Sequence, residues 1–270
     1  MQIFDFQSAD SPLLISIPHD GRMLTNEVSE SIKKKFLSLP DTDWHVAKLY
    51  NSFEDLNANI IKSNYSRYVV DLNRSPDDKS LYTDQYSTNL CPIYSFSGEN
   101  LYQNNYKIDE NEIKNRVEEY WYPYHEKIRN TLNQIKDRHG YALLWDAHSI
   151  RSEVPNLFKG KLPDINIGTN SGKSCPKEIE ELIYENALNS DYSVALNERF
   201  KGGFITREYG DPSSMFFAVQ MEIAQSCYMC ESSIEFDEIL SQKLSFLLKS
   251  MLETFKVSAK VFFNEKNEKN

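Results

Sequence analysis

Short apolar runs that stop on charged or polar residues alternate along this chain with longer segments whose apolar positions recur every three or four residues. PLLISIP (12–18) reads as a buried strand, being short, β-branched and bounded by turn residues. ANIIKS, YSRYVVDL, YALLWDAH, SVALNE and MFFAVQMEI read as strands in the same way. Between them, Val28, Ile32 and Phe36 predict a helix from about Thr25 to Leu37 that Pro40 stops, and DTDWHVAKLYNSF predicts a short helix with Asp41 or Asp43 near its start. Asp109 and Glu112 form a capping box ahead of an apolar stripe from Ile113 to Ile135, which is kinked at Pro123 and ended by Gly140. Pro176 starts a further helix, and Phe236 to Phe255 form an amphipathic one.

Strands that alternate with helices predict an α/β layered fold with a mostly parallel sheet. No repeat, linker or charge run divides the 270 residues, so a single domain is expected, with residues 261–270 as a charged, frayed tail. The segment from Ser75 to Tyr102 is long, polar and aromatic without periodicity, and its tyrosines predict an ordered loop. KGGFITREYGDP reads as a strand between two glycine turns; no phosphate-binding glycine motif occurs in the chain.

Charge narrows the partners. With 30 Lys and Arg against 40 Asp and Glu, net charge -10, neither duplex nucleic acid nor an anionic membrane is the expected partner, so an acidic small molecule needs a local basic pocket. MQIFDFQSADS has neither a basic n-region nor an apolar h-region, and no apolar stretch approaches the ~18 residues of a bilayer span, so a cytoplasmic protein is expected. Cys227 and Cys230 make a C-x-x-C, yet no second ligand pair at zinc-knuckle spacing exists, and the cysteines are read as structural.

The candidate chemistry sits where strands end, which is where open α/β sheets bind ligands. Ile17 leads to His19, Val70 to Asp71, Asn73 and Arg74, Trp145 to Asp146 and His148, and Val219 to Glu222. Two histidines in equivalent positions can present neutral nitrogens to a metal, and a catalytic zinc site needs a third protein ligand, for which Asp20, Asp43 and Asp146 are candidates. Glu222 lies inside an apolar run, where burial raises a carboxyl's pKa toward that of a general base. Arg67, Arg74, Arg151 and Arg207 adjoin these motifs and suit an anionic substrate. Ser149 beside His148 is a poor nucleophile candidate, since neighbours on a strand diverge and no G-x-S-x-G is present.

PLLISIPHDGR, TDWHVAKLY, SRYVVDLNRSPDD, LLWDAHSIRSEVPNLFKGKLPDINIGTNSGKSC, NERFKGGFITREYGDP and AVQMEIAQSCYM, in that order, resemble the N-formylglutamate amidohydrolase (N-formylglutamate deformylase) family from about residue 12 to 230. The resemblance implies a three-layer α/β/α fold like that of zinc carboxypeptidases, with a mixed, mostly parallel sheet. It also implies a metal-dependent hydrolase of histidine degradation that converts N-formyl-L-glutamate and water to formate and L-glutamate, with one divalent metal, expected to be zinc. By that likeness His19, Asp43 and His148 are the metal ligands, which favours Asp43 over Asp20 and Asp146, and Glu222 is the general base. Asn73 and Arg74 grip a substrate carboxylate, with Arg151 and Arg207 sharing the two carboxylates. One departure stands out: carboxypeptidase-like sites carry a glutamate three residues after the first histidine, and here that residue is Arg22.

Overall fold

The structure, a computed structural model, describes residues 2–51, 57–79, 88–104 and 106–268. In chain order its main elements are β1 (Phe4–Gln7), β2 (Leu13–Ile17), α1 (Asn26–Ser31), α2 (Val46–Asn51), β3 (Asn59–Ser63), α3 (Glu110–Arg116) and α4 (Tyr122–His139). There follow β4 (Ala142–Ile150), β5 (Ile165–Gly168), α5 (Lys177–Leu188), β6 (Val194–Leu196), α6 (Phe204–Tyr209), β7 (Phe216–Ala224), the hairpin strands β8 (Met229–Cys230) and β9 (Glu235–Phe236), and α7 (Glu238–Glu268). Among the described residues, seven strands form one sheet in the order β1-β3-β2-β4-β7-β5-β6. The pairs β3/β2, β2/β4, β4/β7 and β5/β6 are parallel, while β1/β3 and β7/β5 are antiparallel. The sheet is therefore mixed and mostly parallel, as the alternation of elements predicts.

Strand periodicity sorts the central strands into two faces. Leu143, Trp145 and Ala147 of β4 and Val219, Met221 and Ile223 of β7 enter a core shared with α5 and α7. Ala142 and Leu144 of β4 and Ala218 of β7 face the other way, against Tyr124, Ile128 and Leu132 of α4. Helices thus cover both faces, and the apolar area they remove from water stabilises the layers at about 25 cal/mol per Å². On the α4 face the same alternation continues into Asp146 and His148 and into Gln220 and Glu222, so each strand is apolar at its start and polar toward its end.

Several elements depart from the sequence reading for physical reasons. The helix expected from Thr25 to Leu37 is divided: Thr25 caps α1 by accepting from the Val28 N–H (3.2 Å), and then Ile32 turns extended to bridge Tyr102 before a 3-10 turn at Lys34–Ser38. YSRYVVDL forms no strand. Three of its carbonyls go to side chains instead: those of Tyr68 and Val69 accept from Arg116, and that of Leu72 accepts from His125. FITREY is helix α6 rather than a strand, with Gly203 at its N-cap. The C-terminal helix does not end at Phe255 but runs on to Glu268, so the expected frayed tail is helical through that residue. The capping box is present, Asp109 accepting from the Glu112 N–H at 2.8 Å. Just ahead of Pro123, where a kink is expected, the helix takes a π-helical turn at Val117–Trp121. Strands β1 and β5 carry no strong sequence signal and were not expected. Of the tyrosine-rich segment 75–102, residues 80–87 lie outside the described residues; Leu90 and Cys91 of the remainder are buried.

Candidate metal centre and active site

Three parallel strands and one turn bring the polar residues together. Pro18 and His19 continue β2, and the backbone N–H of Asp43, in the turn before α2, donates to the carbonyl of His19 at 3.1 Å. His148 lies on β4 and is paired in register with Glu222 on β7. The metal-ligating atoms of His19, Asp43 and His148 all lie within 4.8 Å of one another. All three side chains are buried, at 4%, 1% and 2% exposure, so no ordinary solvation satisfies them.

Both imidazoles are held from behind. Nε2 of His19 is 2.7 Å from Oδ1 of Asp71, and Nε2 of His148 is 3.1 Å from Oδ2 of Asp146. Each ring thereby turns Nδ1 toward Asp43, whose Oδ2 lies 3.7 Å from Nδ1 of His19 and 3.2 Å from Nδ1 of His148. Carboxylates behind metal-binding histidines fix the tautomer and raise ligand basicity. Nδ1 of His19 is buried without a hydrogen-bond partner, an arrangement that a cation between the rings and Asp43 satisfies. The donor set of two imidazole nitrogens and a carboxylate oxygen suits a borderline divalent ion such as zinc. The group could hold a metal ion.

The other candidate carboxylates are engaged elsewhere. Asp20 accepts from the Ala47 N–H at 2.8 Å and from Arg22 at 3.1 Å, and Asp146 stands behind His148. Arg22, in the position where the carboxypeptidase pattern has a glutamate, lies over the Trp44 ring at 4.5 Å.

Charges inside the cluster are strongly biased. Burial raises the pKa of Asp43, but Arg67, which donates to its Oδ1, and His148 outweigh this and hold it well below the usual carboxylate range. Asp71 behaves alike: burial pushes up, and His19, Arg74 and Arg67 pull it further down. Burial lowers His148, yet Asp146 and Asp43 raise it well above the ordinary histidine value, so a proton and a cation compete for this ring. Glu222 is the exception. Burial pushes its carboxyl up to about 8, with Asp43 adding to the effect and His148 and Arg67 opposing it.

A small cavity of about 80 Å³ opens beside the cluster, lined by His19, His148, Asn73, Arg74 and Glu222 among others. Asn73 is 3.0 Å from Nε2 of His148 through Nδ2 and accepts from the Ile205 N–H at 2.8 Å. A Cβ on Gly203 would meet Asn73 at 2.3 Å, which is why a glycine stands at the start of α6. The arginines divide differently from the sequence reading. Arg74 lines the cavity, but Arg151 and Arg207 do not; because FITREY is a helix, Arg207 turns back to donate to the Gly202 carbonyl at 2.8 Å. Arg67 and Arg199 line it instead. Gln220, also a lining residue, was legible in principle, since it shares the face of Glu222 two residues on. Arg199 was not, because nothing local links it to the strand ends.

A mixed, mostly parallel sheet covered on both faces, with two histidines and an aspartate gathered at the ends of its central strands, defines a layered α/β protein with a buried site that could hold one metal ion. Comparison with known proteins narrows this class. The chain belongs to the N-formylglutamate amidohydrolase family, whose model matches residues 11–229. It is 46% identical over 254 residues to an N-formylglutamate deformylase of Pseudomonas putida, covering 93% of this chain and 95% of that one. It is 44% identical over 255 residues to an N-formylglutamate deformylase of Pseudomonas aeruginosa, covering 94% and 96%. The fold matches the crystal structure of an N-formylglutamate amidohydrolase from Ralstonia eutropha with a TM-score of 0.80 at 20% identity, over 96% of this chain and 100% of that one. A gene product from Agrobacterium tumefaciens matches with a TM-score of 0.76 at 15% identity, over 96% of each chain.

Proposed function

We propose that the protein is a metal-dependent amidohydrolase that converts N-formyl-L-glutamate and water to formate and L-glutamate, in the cytoplasmic degradation of histidine. The observation that carries this is the His19–Asp43–His148 cluster with Glu222 on the adjoining strand, in a chain 46% identical to an N-formylglutamate deformylase. His19, Asp43 and His148 would hold the cation, and two imidazole nitrogens with a carboxylate oxygen suit zinc. Bound there, a divalent cation supplies a Lewis acid that polarises the formyl oxygen and lowers the pKa of water to about 7.

The chain's own groups do the rest. Glu222, whose burial gives its carboxylate a raised proton affinity, takes the proton from water as its oxygen attacks the formyl carbon. When the C–N bond breaks, the same carboxyl returns that proton to the leaving nitrogen of glutamate. Arg67 sets a fixed positive charge beside the reacting carbonyl, where one well-placed donor typically contributes ~3–4 kcal/mol. Asn73 and Arg74 hold one substrate carboxylate and Arg199 the other, fixing the amide against Glu222.

Formate and acetate release from N-formylglutamate, N-formylaspartate and N-acetylglutamate tests this reading. N-formylglutamate is expected to give the highest kcat/KM of the three; faster hydrolysis of N-acetylglutamate would assign the protein to a different acyl group.

A further inference from the structure

Arg67, Asp71, Asn73 and Arg74 all come from one segment that belongs to no strand, so no sheet partner sets its position. Beside backbone bonds such as that of the Asp71 N–H to the Leu90 carbonyl (2.7 Å), side chains of one helical stack hold it. Arg116, at the end of α3, donates to the carbonyl of Val69 at 3.1 Å. Nε2 of His125 donates to the Leu72 carbonyl at 2.8 Å, and Nε1 of Trp121 donates to the Arg74 carbonyl at 2.9 Å. These last two carbonyls flank Asn73, whose amide reaches His148 and α6.

The π turn accounts for this reach. In a regular α-helix Arg116 and Trp121, five residues apart, would point about 140° away from each other. The i→i+5 closure of Val117–Trp121 brings them toward the same side, and Trp121 and His125, four apart, then stack with ring centroids 3.7 Å apart and an interplanar angle of 20°. His125 is buried, which holds its pKa down to about 3 and keeps the ring neutral, and the Tyr209 hydroxyl lies 2.9 Å from its Nδ1.

We propose that Trp121 and His125 are positioning residues: as a stacked pair of donors they clamp the carbonyls of Leu72 and Arg74 and so set where Asn73 and Arg74 meet the substrate. This rests on the reading that Asn73 and Arg74 grip a substrate carboxylate.

Trp121→Phe keeps the stack and removes the donor, and it is tested in the wild-type and Arg74→Ala backgrounds. In the wild-type background KM for N-formyl-L-glutamate is expected to rise about tenfold, the size of one orphaned buried acceptor, with kcat within about threefold and metal content unchanged. In the Arg74→Ala background the same change is expected to move KM clearly less, about threefold, because only Asn73 of the two positioned groups remains. Hydrogen exchange adds a readout independent of activity: peptides over residues 70–75 are expected to exchange faster in Trp121→Phe, and those over β4 are not. A folded Trp121→Phe protein with wild-type KM and exchange overturns the clamp, as does an undiminished effect in the Arg74→Ala background. Should Trp121→Phe not fold, His125→Gln, which keeps a donor, is compared with His125→Leu, which does not; equal KM values and equal exchange in those two overturn it. A wild-type protein that releases no formate overturns the activity reading instead, and the exchange comparison still decides the clamp.

Discussion

Glu222→Gln is expected to keep its metal and to lose about a hundred- to ten-thousandfold in kcat, the range that a positioned general acid–base group supplies. The substitution preserves shape and keeps a polar contact with Gln220, 3.4 Å away, while removing the only group on β7 proposed to accept and return a proton. KM is expected to change little, since Glu222 is assigned no substrate carboxylate. The wild-type pH profile follows from the same residue. A general base works ionised, so kcat/KM falls as pH drops through the Glu222 pKa. That pKa is raised to about 8 by burial, and a cation at the cluster pulls it lower, so the acid limb of the metal-loaded enzyme is expected below about 8. Turnover near the wild-type rate in Glu222→Gln, with metal bound, would remove Glu222 as the base.

The second large effect belongs to Asp43, which serves two charges at once. Its Oδ2 faces Nδ1 of both histidines, and its Oδ1 receives Arg67, a side chain only 8% exposed. Asp43→Ala is therefore expected to abolish metal binding and also to leave a buried guanidinium short of its nearest counter-ion. Removing one partner of a buried pair costs about 3–5 kcal/mol; here Asp71, 3.7 Å from Arg67, offsets part of that, so a loss of about 3 kcal/mol is expected. Denaturant unfolding of wild type and variant, each with and without chelator, separates the two effects. The charge effect persists in chelator and the metal effect does not. Asp43→Ala that binds metal normally and unfolds at the wild-type midpoint contradicts both assignments.

How far the site could be read in advance depended on whether a residue's position is set locally or by long-range packing. His148 and Glu222 were legible because strand periodicity fixes their face: Asp146 and His148 alternate with the apolar residues of β4, and Glu222 does so on β7. His19 was legible as the end of a short apolar run. Asp43 was not separable from Asp146 or Asp20 by spacing, because the choice depends on how the turn before α2 folds back onto β2, where the Asp43 N–H meets the His19 carbonyl. Residues 65–72 read as a strand since Tyr68, Val69 and Val70 favour one, and all three are in fact buried. Against that propensity stand donors on Arg116 and His125, more than forty residues away in sequence, which take carbonyls that a neighbouring strand would otherwise use. FITREY likewise alternates weakly enough to pass for a strand, and only its packing through Ile205 and Tyr209 against the α4 layer settles it as helix. The arginines fared worst. Long flexible side chains near a motif carry no sign of where they point: Arg151 and Arg207 do not line the cavity, while Arg199, which the sequence did not single out, does.

The metal can be tested without any substitution. Elemental analysis of the purified protein, coupled to formate release from N-formylglutamate before and after chelation, is expected to show one equivalent of a divalent metal. Activity is expected to vanish with the metal and to return on addition of zinc. A metal-free preparation that hydrolyses N-formylglutamate at full rate and ignores chelator would mean that His19, Asp43 and His148 meet for some other reason.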